Sequence, residues 1–69
     1  MGYNYNKLRG AIRESFDNQA EFAKALGMGE ATLSLKLNNK SEWTQEEMIL
    51  AMRTLNKPLD QIGAYFFTH

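Results

Sequence analysis

The sequence lacks several features on which whole classes of protein depend. It has no cysteine, which excludes disulfides and thiolate metal sites. Its single histidine is the terminal His69, so we expect no metal site. No apolar run approaches the roughly 20 residues that a membrane-spanning helix needs, and the first residues carry no signal-peptide pattern. These absences predict a cytoplasmic protein.

The chain also lacks the residue constellations that carry catalysis. It has no nucleophile paired with a base and no glycine-rich phosphate loop. We therefore predict that it is not an enzyme and that it binds no cofactor, no metal and no small-molecule ligand. Its 8 basic and 8 acidic side chains balance, whereas a nucleic-acid-binding domain is usually basic. A small basic excess lies in residues 1–40 and a small acidic excess in residues 41–69.

Length and composition predict one small domain. The chain has 69 residues and 43% hydrophobic content, which is near the lower size limit for folding without disulfides or metals. We expect a single domain over residues 1–69. The sequence leaves open whether it belongs to a longer protein.

Capping residues divide the chain into five helical segments. Asn and Thr are preferred at helix N-caps because their side-chain oxygens accept hydrogen bonds from free backbone amides. The predicted helix starts are marked by Asn4, Asn18, Gly29, Thr44 and Pro58. Glu47 follows Thr44 by three residues and completes a capping box, and Gly27 is a typical helix stop. Alternation with period two is absent, so we predict an all-α fold.

The apolar residues recur with helical spacing and define a predicted core. The residues expected to face inward are Leu8, Ile12, Phe16, Phe22, Ala23, Leu26, Leu33, Leu37, Met48, Ile49, Met52, Leu55, Leu59, Ile62 and either Tyr65 or Phe66. The aromatic run at residues 65–67 has two interpretations, core closure or an exposed patch that pairs two subunits. Trp43 is expected to pack as a helix staple or at a dimer contact.

Residues 19–39 have the layout of a helix-turn-helix motif. A helix of about eight residues, a turn and a second helix follow one another. Ala23 is small enough for a close helix crossing, Gly27 allows the turn to reverse, and Leu33 and Leu37 anchor the second helix. The opposite side of that helix is then exposed.

The segment Gln19–Gly27, followed by Thr32-Leu33-Ser34 and Leu37-Asn38, resembles the helix-turn-helix family of lambdoid phage repressors and Cro proteins, the XRE family. Short phage proteins of Gram-positive hosts are the nearest type. The resemblance covers essentially the whole chain and implies a five-helix, lambda-repressor-like DNA-binding bundle. Gly29 departs from the family, which often has Ser or Thr at that position, and so does the neutral net charge.

On this interpretation the helix near residues 29–38 reads an operator in the major groove of double-stranded DNA. The predicted base contacts are Glu30, Ala31, Ser34, Leu35 and Asn38. The predicted phosphate contacts are Gln19, Lys24, Lys36, Asn39, Lys40 and Thr44, with Lys7, Arg9 and Arg13 as further options. The resemblance itself implies the phosphate contact of Gln19. Leu35 could instead cover a neighbouring side chain of the protein.

Two functions remain at this point. The first is a Cro-like or repressor-like transcriptional repressor, nucleoid-associated in a bacterial host and homodimeric at least on DNA. The alternative is a protein-interaction module of the same fold, an antirepressor or host-factor binder. The neutral charge and the absence of arginine from the recognition helix favour the alternative.

Overall fold

Five short α-helices and one 3-10 turn make up the fold of the computed structural model, which describes residues 2–69. α1 spans Asn6–Ser15, α2 Gln19–Leu26, α3 Glu30–Leu37 and α4 Gln45–Thr54, and the 3-10 turn Leu59–Gln61 leads into α5, Ile62–Phe66. Residues 2–69 contain no strand. The predicted all-α, five-helix architecture is confirmed.

Local capping chemistry sets the ends of α2 and α4. Oδ1 of Asn18 accepts a hydrogen bond from the amide of Glu21 at 2.9 Å, and Gly27 ends α2 in the left-handed conformation with φ 74°. At the start of α4, Thr44 and Glu47 form the predicted reciprocal capping box. Each cap satisfies backbone groups that the helix itself leaves unpaired.

α1 begins later than predicted. Its N-cap is Tyr5 rather than Asn4. Asn4 lies one residue further out, where its Oδ1 accepts from the amide of Asn6 at 2.8 Å. The asparagine therefore still stabilises the first turn, but from outside the helix.

The core lies between all five helices and is almost entirely apolar. Its largest fully buried side chains are Phe22, Phe66, Leu8, Leu33 and Met52. Trp43 packs edge-on against Phe66 with ring centroids 4.9 Å apart. Of the C-terminal aromatic run, Tyr65 and Phe66 close the core, whereas Phe67 is 47% exposed.

Two predicted core residues are not in the core. Ile49 is only half-buried and is not among the apolar side chains packed against the core. Leu59 is 44% exposed because it lies in the 3-10 turn ahead of α5, at the rim of the bundle. The inward positions of this segment belong to Ile62, Tyr65 and Phe66. Within residues 2–69 no helix has both the length and the apolar character to cross a membrane.

Gly27 and Gly10 have different backbone conformations, so replacing each by alanine should have opposite effects on stability. Gly27→Ala should destabilise the protein by about 1 kcal/mol, since alanine is strained at positive φ. Gly10→Ala, within α1, should stabilise it by up to about 1 kcal/mol. An added methyl group meets no atom within 4 Å at either position, so only backbone conformation differs. Urea unfolding of both variants measures this, and equal effects would contradict the assigned turn.

Candidate functional site

Two leucines fix the orientation of α3. Leu33 is fully buried and Leu37 is 3% exposed, so the opposite side of the helix faces solvent. That side, the α3 outer face, consists of Glu30, Ala31, Ser34 and Leu35; three of these are exposed and Ser34 is half-buried. Leu35 is 50% exposed, so about half of its surface is accessible to solvent. The predicted orientation of the helix is confirmed.

Lys36 is a correction to the predicted phosphate contacts. The residue is only 6% exposed. Its Nζ donates to the carbonyl oxygen of Glu42 at 2.8 Å and lies 3.0 Å from Oε1 of Glu47. The physical reason is that position i+3 from Leu33 faces inward, as position i+4 does. The aliphatic stem of Lys36 is buried there while its ammonium group finds two oxygens.

Glu47 joins α3 to the start of α4. Its Oε1 accepts from the backbone amide of Thr44 at 2.8 Å as well as from Lys36. Partial burial raises the pKa of the Glu47 carboxyl. The hydrogen bonds from Thr44 and the charge of Lys36 outweigh this and hold the pKa below its usual value. The carboxylate is therefore stabilised in its charged form, beside the buried ammonium group.

Arg9, one of the further phosphate options, holds the other side of the α3 C-terminus. Its Nη2 donates to the carbonyl oxygen of Leu37 at 2.9 Å and to Oδ1 of Asn38 at 3.1 Å. The Nδ2 of Asn38 in turn donates to the carbonyl oxygen of Ser34 at 2.9 Å. Asn38 is thus folded back onto its own helix, which corrects its predicted role as a base contact. No local pattern could indicate the contacts of Arg9, since 28 positions separate it from Leu37 and 29 from Asn38.

Asn39 is engaged with the N-terminal segment rather than free for phosphate. It adopts φ 61°, a left-handed conformation that asparagine tolerates. Its Oδ1 accepts from the amide of Tyr3 at 2.9 Å, and its Nδ2 donates to the carbonyl oxygen of Tyr3 at 2.8 Å. This pairing was not foreseen, because short-range patterns do not report contacts between distant segments.

The other predicted phosphate contacts are dispersed over several elements. Gln19 is half-buried at the first turn of α2, and Lys24 and Lys40 are exposed. Oγ1 of Thr44 accepts from the amide of Glu47 at 3.1 Å, so it serves as a helix cap. The α3 outer face itself has one carboxylate, one half-exposed leucine and no cation. Such a surface is suited to packing against another protein and offers phosphates no counter-charge.

A family model described as "Protein of unknown function (DUF739)" matches residues 1–69. The chain belongs to this family. No curated protein matches the sequence. Among solved structures, this DUF739 member is similar to the solution structure of the modulator of repression (MOR) of the temperate bacteriophage TP901-1 from Lactococcus lactis. Identity is 42%, the match covers 97% of this chain and 90% of that chain, and the TM-score is 0.84.

This likeness overturns the first function predicted from the sequence. The similar phage protein is a modulator of repression, so the expectation of a Cro-like or repressor-like DNA reader is wrong. The alternative, a protein-interaction module of the same fold, agrees better with that finding. The physical reason lies in α3 of the DUF739 chain, where Lys36 is buried and Asn38 is folded back onto the helix.

The buried position of Lys36 predicts a stability difference between two lysines. Lys36→Ala should destabilise the protein by about 1–3 kcal/mol, because it removes the buried stem and leaves Glu47 without its cation. Lys24→Ala, at an exposed position of α2, should change stability by less than about 0.5 kcal/mol. Urea unfolding measures both variants. Similar small effects would mean that Lys36 is solvated.

The lowered pKa of Glu47 predicts acid sensitivity. A carboxyl whose pKa is lowered in the folded state stabilises the protein at pH values above the pKa that it has in the unfolded chain, near 4.5. That contribution is lost as the pH falls through the folded-state pKa. Glu47→Gln should therefore flatten the dependence of unfolding free energy on pH below about 5. Glu46→Gln, at the exposed neighbouring position, is the control, and an equally flattened profile in that variant would refute the assignment.

Proposed function

We propose that this chain is a phage-type regulator of transcription that acts by binding another protein, a repressor or a host transcription factor. The α3 outer face is the proposed contact surface. The single observation that carries the proposal is the composition of this face: it has a half-exposed Leu35 and an exposed Glu30, on a helix whose only cation is buried. The likeness to a phage modulator of repression over nearly the whole chain supports it.

The rigidity of α3 supports protein binding in energetic terms. A partner that covers Leu35 removes apolar surface from water, which is the main driving force of association. The helix is held by Leu33 and Leu37 in the core and by Arg9 and Lys36 at its C-terminal end. Little conformational freedom then remains to be lost on binding, so more of the contact energy appears as affinity.

The helix-turn-helix layout fits the same proposal. The turn at Gly27 and the anchored α3 present one helix outward, as in the XRE family that the sequence resembles. We infer that the chain uses this architecture to offer α3 to a protein surface, without catalysis. A partner that binds DNA has a basic surface for contacting the nucleic acid. The carboxylate of Glu30 would complement the charge of that surface.

Photo-crosslinking from α3 tests the proposal. Leu35 is replaced by p-benzoylphenylalanine in cells that naturally encode the chain, and crosslinked proteins are identified by mass spectrometry. Leu59→p-benzoylphenylalanine is the matched control, since Leu59 is 44% exposed on another element and Leu35 is 50% exposed. We expect position 35 to capture a DNA-binding transcription regulator and position 59 to capture none. Equal capture at both positions, or capture of no transcription regulator, would exclude the proposed contact.

The affinity of the captured regulator gives a second test of the face. Leu35→Ala should weaken binding about tenfold or more, as expected for an apolar residue at the centre of an interface. Glu30→Lys should also weaken binding, because the new lysine repels the basic surface of the regulator. This loss of affinity should grow as the ionic strength falls, because salt then screens the repulsion less. Leu59→Ala should leave the affinity unchanged in calorimetry or surface plasmon resonance. Loss of binding in that control instead would place the interface at the 3-10 turn that contains Leu59.

A further inference from the structure

The outer side of α4 has two apolar side chains that the core does not cover. Ala51, Met52 and Leu55 are buried and hold this helix to the bundle. Leu50 is 43% exposed, and Ile49 is half-buried without packing against the core. Successive residues of a helix are about 100° apart, so Ile49 and Leu50 flank the line that faces directly away from the buried side.

Two opposite charges lie on the same side of α4, one before and one after this apolar pair. Glu46 and Arg53 are both exposed. They occupy positions i and i+7, with Ile49 and Leu50 at i+3 and i+4, so the four residues form one face of the helix. We call them the α4 outer face. Within residues 2–69 neither Glu46 nor Arg53 forms an ion pair.

The order of these four residues is self-complementary. A two-fold axis between Ile49 and Leu50 lays two copies of α4 side by side in opposite directions. Glu46 of one copy then lies opposite Arg53 of the other, and Ile49 lies opposite Leu50. A parallel arrangement would place Glu46 against Glu46 and Arg53 against Arg53, so the charges select the antiparallel one. A two-fold interface of this kind is the commonest form of homodimer.

We propose that the chain associates with a second copy of itself through the α4 outer face, with the two helices antiparallel. Removal of Ile49 and Leu50 from water supplies the driving force, and two Glu46–Arg53 pairs set the direction and register. α4 has 10 residues, a length of about 15 Å, so the contact is small. We therefore expect a dissociation constant in the micromolar to millimolar range.

Self-association through α4 goes beyond the proposed function, because the α4 and α3 outer faces share no residue. A dimer nevertheless carries two α3 outer faces. On the proposed function, it would contact a two-fold symmetric regulator twice, and the second contact would gain from being intramolecular. This consequence rests on the proposed function, whereas the association itself is measured without any regulator.

Sedimentation equilibrium of the full chain, up to about 1 mM, tests the association. We expect the average mass to rise with concentration towards that of two chains. Leu50→Ala should weaken the association about tenfold, because each dimer then loses two buried leucine side chains. Leu35→Ala is the matched control, at a leucine 50% exposed on α3, and should not change it. A monomer at every concentration, or equal effects of the two substitutions, would overturn the proposal.

Charge reversal tests the antiparallel register. Glu46→Arg and Arg53→Glu, made singly, each place like charges opposite one another at both ends of the interface. Each variant should therefore associate with itself about tenfold more weakly than the original chain. An equimolar mixture of the two variants should form a heterodimer, since each supplies the charge that the other lacks. Unchanged self-association of the single variants, or a mixture that associates no better than either alone, would overturn the proposal.

Discussion

The insertion of Leu33 and Leu37 into the core is the constraint on which the rest of the structure depends. It turns α3 so that Glu30, Ala31, Ser34 and Leu35 face outward. Two cations then hold the C-terminal end of the helix from opposite sides, Arg9 from α1 and Lys36 towards α4. Apolar burial supplies the driving force, and these polar contacts fix the rotation and position of the helix.

Much of this fold could be predicted from the sequence because its determinants are local. Asn18, Gly27 and Thr44 act within three or four residues of their own positions, so their patterns are visible in the sequence. Lys36 could not be placed in the same way. A lysine is usually solvated, and its burial depends on Glu42 and Glu47, which a loop brings back to the helix. Asn39 likewise depends on a partner that is 36 positions away.

The sequence predicted which side of α3 is exposed but not what that side binds. The helix-turn-helix pattern suggested that α3 binds an operator. Most features of that pattern, however, indicate only how the helix is presented and not what it binds. The composition of the presented face carried the other information: it has no arginine and includes an exposed Leu35. The absence of arginine already favoured the protein-binding alternative, whereas Leu35 was expected to contact a DNA base. The likeness to a modulator of repression agrees with the alternative. The proposed function therefore rests on the side chains of the face rather than on the motif.

The central claim is that the α3 outer face is buried in a complex with a transcription regulator. The most direct measurement is a ¹H–¹⁵N NMR titration of the labelled chain with the purified regulator, which follows the amides of every helix at once. The account predicts that the largest changes fall on residues 30–35 and that the outer side of α4, near Leu50, changes little. Changes concentrated on α4 and α5, with α3 unperturbed, would contradict it.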